Sequence, residues 1–140
     1  MKIVLLGVAA VVAAASYSDP ELTRKEFAHL VGEWKVIRME REGRVLGKNE
    51  YSLEVMVFRA EDLNKRLRID PTKSPKWIDE ISPQPQQLGP DVPGLYKIEG
   101  DRLYYITTFA FKHGDPVRPT DFTTQPGDHR TLVVLERVKK

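Results

Sequence analysis

Leu30-Val31-Gly32-Glu33-Trp34-Lys35-Val36 is where this chain changes its periodicity, and the reading of that stretch decides the fold. Upstream, Asp19-Pro20 supplies an N-cap and a proline at the first helical position, and Thr23-x-x-Glu26 has capping-box spacing. A helix is predicted from about Pro20 to Leu30. Leu22, Phe27, Leu30 and Val31 gather on one side of it while Glu21, Arg24 and Lys25 face away, so the helix should lie on the domain as a lid or plug. Gly32 ends it. Downstream the spacing becomes alternation: Trp34 and Val36, then Ile37 and Met39 after a bulge, form a first strand closed by the turn Glu42-Gly43-Arg44. A Gly-x-Trp between a short helix and a strand suggests the start of a small β-barrel.

The alternation continues. Tyr51 to Phe58 reads as a second strand, Leu67 and Ile69 mark a third, and Trp77 to Ile81 a fourth. Leu95-Tyr96-Lys97-Ile98 and Leu103-Tyr104-Tyr105-Ile106 flank Glu99-Gly100-Asp101-Arg102 as a tight hairpin, and Leu132 to Val138 is the last strand. Pro83 to Pro93 cannot feed a sheet ladder and reads as a connector, and Lys112-His113-Gly114-Asp115-Pro116 is a second turn region. The expected class is all-β: an antiparallel barrel or sandwich of short strands with one N-terminal helix.

Lys2 followed by the apolar run Ile3 to Ala15 and then polar Ser16-Tyr17-Ser18 reads as an export signal over residues 1–18, leaving one domain at residues 19–140. The run is shorter than the roughly 20 apolar residues of a spanning helix, so no stable membrane span is expected after cleavage. Cleavage after Ala15, Ser16 or Ser18 fits, and a retained anchor is the competing reading. The expected location is periplasmic or extracellular. The chain has no cysteine, which rules out disulfides and a lipid-modified N-terminal cysteine and leaves stability to core packing. A net charge of +2 with interspersed signs provides no field for nucleic acid. Lys65-Arg66-Leu67-Arg68 reads as the solvated face of a strand.

Several segments in order resemble a lipocalin-like domain family of unknown function abundant in planctomycete bacteria. They are Leu30 to Trp34, Asp70-Pro71-Thr72-Lys73-Ser74-Pro75-Lys76-Trp77-Ile78-Asp79, Gly94 to Ile98, Arg118-Pro119-Thr120-Asp121-Phe122 and Leu135-Glu136-Arg137. The resemblance covers nearly all of residues 19–140 and implies a lipocalin-like antiparallel barrel of about eight strands. It carries no activity and no cofactor. In such barrels the Gly-x-Trp tryptophan closes one end beneath an arginine of the last strand, which assigns structural roles to Gly32, Trp34 and Arg137.

Sequence chemistry singles out no catalytic residue. His29, His113 and His129 lack metal-ligand spacing, and Ser52, Ser74 and Ser82 lie in no nucleophile elbow. The carboxylates Asp70, Asp79, Glu80, Asp91, Asp101 and Asp121 are numerous enough that a hydrolytic pair is a third reading. Asp70, Lys76, Asp79 and Arg118 lie within the resemblance-bearing segments. In one reading Asp70 with Pro71 makes a turn, Arg118 precedes Pro119 in an extended backbone, and an arginine–aspartate ion pair locks two loops. In the other, Arg118 anchors a ligand at the barrel mouth with Trp77, Tyr96, Tyr104 and Tyr105 as aromatic walls. The preferred expectation is a non-enzymatic barrel for a small apolar or amphipathic molecule. The alternative is a cell-envelope protein-interaction or structural module, whose barrel would be filled by side chains such as Phe58, Tyr105, Phe109, Phe111 and Phe122.

Overall fold

The computed structural model describes residues 19–109 and 116–139. In chain order they form α1 (Pro20–Ala28), β1 (Gly32–Arg41), β2 (Arg44–Val45), β3 (Val55–Phe58), β4 (Leu67–Asp70) and β5 (Lys76–Glu80). The short helix α2 (Pro85–Leu88), β6 (Val92–Glu99), β7 (Arg102–Thr108) and β8 (Arg130–Arg137) follow. All eight strands belong to one antiparallel sheet in the order β2-β1-β8-β7-β6-β5-β4, with β3 paired to the first half of β1. The fold is therefore all-β. No ladder joins β3 to β4 among the described residues, so the sheet is open along that line. The predicted signal segment, Phe111 and His113 lie outside the described residues.

Local sequence explains most boundaries. Asp19 caps α1 by accepting from the Glu21 N–H at 2.9 Å, with Pro20 at the start, and the predicted bulge appears as a register shift between Val36 and Arg38. The Thr23 capping box is not used, because the helix has already begun and the Thr23 N–H bonds to the Asp19 carbonyl at 2.9 Å. Thr23 instead takes a buried place with Phe27 and Leu30, at positions i, i+4 and i+7, while Leu22 is 46% exposed. The second predicted strand is cut to Val55–Phe58. Its ladder with β1 stops at Lys35 and Val55, next to the register shift between Val36 and Arg38, and Tyr51 to Leu53 lies outside it.

Strand alternation separates two clusters of buried side chains. One face carries Trp34, Val36, Met39, Phe58, Ile78, Tyr96, Leu103, Tyr105, Val133 and Leu135, joined by Phe27 and Leu30 of α1. The opposite face carries Leu95, Ile106, Leu132 and Val134. Phe58 of β3 and Tyr105 of β7 have ring centroids 6.5 Å apart. These strands are three spacings apart in the sheet, which would place them about 14 Å apart if it were flat. The sheet therefore curls, with the larger cluster inside and α1 plugging one end.

The outer cluster is covered by the connection from β7 to β8. Arg118 meets Asp79 on β5, Phe122 packs against the outer cluster, and the Thr124 hydroxyl both donates to Glu40 at 2.8 Å and accepts from the Gly43 N–H at 2.8 Å. This strap runs from β5 to β1 over the intervening strands. Pro119, within it, is fully buried.

Candidate functional site

At the α1 end, Trp34 is completely buried and its indole N–H donates to the Leu30 carbonyl at 2.8 Å. The Arg137 guanidinium lies 4.1 Å from the Trp34 ring centroid and donates to the carbonyls of His29 (2.5 Å) and Val31 (3.2 Å). One side chain thus stacks on the tryptophan and satisfies carbonyls that the helix end leaves without partners. Gly32 permits this approach: its φ is +133°, and a Cβ there would sit 3.2 Å from the Arg137 Nη1. This end of the molecule is filled.

Around the β4 edge, between α1 and the outer face, a cleft of about 610 Å³ is lined by Arg68, Asp70, Lys73, Trp77, Asp79 and Arg118, with Thr23 of α1 and Ile69 of the inner cluster on its other side. Its charges are largely committed to one another. Arg118 forks onto both Asp79 oxygens at 2.5 and 3.1 Å and donates to the Gly94 carbonyl at 3.0 Å, while its Cζ lies 4.0 Å from the Trp77 ring centroid. Lys73 lies 4.8 Å from the same ring centroid, and Arg68 reaches Asp79 and Asp91 at 3.8 and 3.4 Å. Asp70 accepts from the Thr72 N–H and hydroxyl, forming the turn. The geometry of this cleft is that of a joint which pins the strap to β5.

On the inner face, from Met56, which pairs with Trp34 across the ladder, to the Arg41 end of β1, a second cleft of about 390 Å³ is built differently. Met39, Met56, Tyr105 and Val133 supply apolar surface from four strands, Phe109 and Leu53 stand at the edge, and Arg41, Tyr51, Thr107 and Thr131 contribute polar atoms. The Tyr105 hydroxyl donates to Glu80 at 2.6 Å, which leaves its ring to the cleft. Burial, then the Glu80 charge, hold that hydroxyl well above its usual range of ionisation. Arg41 donates from Nε to the Thr131 hydroxyl at 3.2 Å and makes no ion pair among the described residues.

The structure thus distributes the four predicted ligand residues over three places. Arg118 and Trp77 meet, but on the outer face rather than at the mouth. Tyr105 lines the inner cleft. Tyr96 is buried near α1, its hydroxyl raised by burial and by the Glu26 carboxylate, and Glu26 is itself paired with Lys76. Tyr104 and Phe122 face outward. Met39, Met56, Tyr51 and Arg41 were missed as cleft residues because nothing local distinguishes them from core and surface; only the curl brings them together. The candidate carboxylates are individually engaged: Glu80 with Tyr105, Asp91 with the Ser82 N–H, Asp101 with Lys139, and Asp121 with Thr123, whose hydrogen bonds lower the Asp121 pKa. No group of three potential metal ligands occurs among the described residues.

Fold and site together define an antiparallel all-β domain with a plugged end, a strapped outer face and an apolar inner cleft. Comparison with protein-family models, with curated proteins and with solved structures found no match to this chain.

Proposed function

We propose that this protein is a non-enzymatic binding protein of lipocalin-like architecture, exported from the cell, which takes a small apolar or amphipathic molecule at its inner cleft. In this reading the curled sheet acts as a barrel, with α1 plugging one end and the cleft as its mouth. The observation that carries it is the lining of that cleft: apolar groups from β1, β3, β7 and β8 converge over the Tyr105 ring, within the size range of small-molecule sites. The outer cleft supports it less, since its arginines and carboxylates already neutralise one another.

Native mass spectrometry of protein purified from its own host tests this directly, together with binding of the neutral dye Nile red. A co-purifying small molecule, and dye binding that Met56→Glu abolishes while Lys73→Ala, in the outer cleft, leaves intact, are the expected results. A bare mass with dye binding indifferent to Met56→Glu would refute it. A second reading, an envelope interaction or structural module, is favoured by the dense packing of Trp34, Tyr96, Phe58 and Tyr105. It is also favoured by exposed Val55 and Val57 on β3, which among the described residues pairs only with β1.

A further inference from the structure

Resting on the reading of the inner cleft as a ligand site, we infer that its ligand is an anionic amphiphile, whose head group is held by Arg41 and whose short apolar tail lies over Met39, Met56 and Val133. The inner cleft adjoins a polar cleft of about 410 Å³ lined by Arg41, Glu42, Arg44, Glu50 and the Pro126-Gly127 turn, and Arg41 and Glu50 belong to both. Four charges meet at this junction, and three have partners. Arg44 pairs with Glu50 at 2.6 Å, and Glu50 also accepts from the Gly47 N–H at 3.1 Å. Glu42 faces the His129 ring at 3.7 Å and its backbone N–H at 3.3 Å.

Arg41 makes no ion pair among the described residues, and Glu42 meets only an imidazole, which carries charge when protonated. The Arg41 Nε is tied to Thr131, whose neighbour across the ladder is Thr107, so the guanidinium is oriented and its terminal nitrogens remain available. A planar, oriented guanidinium at the border of an apolar surface matches a carboxylate or similar oxyanion on an apolar chain. A neutral ligand would leave this donor set unused. A cationic one would meet it with repulsion. The cleft volume limits the tail to a medium-length chain.

Isothermal titration calorimetry with decanoate, decanol and decylammonium tests the inference on the intact protein. The expected order is decanoate first, with decylammonium weakest. Arg41→Gln should weaken decanoate about threefold to fivefold, as for one charge-assisted contact at an exposed site, and leave decanol unchanged. Raising the salt concentration should weaken decanoate alone in the wild-type protein, a readout independent of whether the variant folds. Equal affinity for decanoate and decanol, or an Arg41→Gln variant that binds decanoate as well as wild type, overturns the anionic ligand while leaving an apolar site in place. Failure of all three to bind overturns the inner-cleft reading itself.

Discussion

Replacing Arg137 by alanine removes three interactions at once. Its guanidinium covers the buried Trp34 ring at 4.1 Å and donates to the carbonyls of His29 and Val31, which follow the last turn of α1. Arg137 is half-buried, so each hydrogen bond contributes about 1 kcal/mol, and the cation–π contact adds about 1 kcal/mol. Arg137→Ala should therefore cost about 2 to 3 kcal/mol, which for a domain of this size lowers Tm by roughly 8 to 12 °C. Arg137→Lys keeps the charge but not the planar fork that serves two carbonyls and a ring together, and should recover less than half of the loss. Urea unfolding followed by circular dichroism measures this without relying on tryptophan emission. Pairing the variant with Trp34→Leu in a double-mutant cycle should yield a coupling of about 1 kcal/mol. A loss below about 0.5 kcal/mol for Arg137→Ala, or a coupling near zero, would refute the reasoning.

Arg118→Ala strips Asp79 of its bidentate partner in a site where both side chains are mostly buried, so it should cost about 2 kcal/mol and open the strap to limited proteolysis, with Arg118→Lys a poor substitute. Gly94→Ala places a Cβ 2.5 Å from the Ile106 carbonyl oxygen and 3.1 Å from that of Ile78, both on neighbouring strands; a loss of at least about 2 kcal/mol by denaturant titration is expected. Tyr96 and Tyr105 both have their ionisation raised above the ordinary value of 10.0, so each binds its proton more tightly folded than unfolded. Their contribution is complete below pH 10 and is lost as pH rises beyond it, at about 1.4 kcal/mol per pH unit for each. The alkaline limb of the stability curve should be steep in the wild type and flatter in Tyr96→Phe and Tyr105→Phe, as read by urea midpoints across pH.

The parts of the fold legible in the sequence are those fixed by short-range chemistry. Asp19-Pro20 placed the helix start, alternation placed β1 and the β6–β7 hairpin, and Gly100, with φ of +61°, marks its turn. The Trp34–Arg137 contact was reachable because the resemblance pairs two motifs that lie far apart in the chain. The inner cleft was not legible, because it depends on how far the sheet curls and on which residues lack a partner strand. Arg118 shows the limit most clearly. An arginine–aspartate lock is legible in the sequence, but neither the aspartate nor the face is, since an extended Arg-Pro segment has the same local form inside a mouth or against an outer wall. Tyr51 likewise reads as strand by propensity, and only the end of the β1–β3 ladder at Lys35 and Val55 leaves it at the edge of a cleft.

The strap also has a mechanical meaning. Its anchors, Arg118 on β5 and Thr124 on β1, lie four strand spacings apart in the sheet, with chain bends at residues 120–122 between them. It therefore couples two strands that no ladder joins directly. Any change in the curl of the sheet moves these anchors relative to each other, so the strap acts as a brace between the two halves of the sheet.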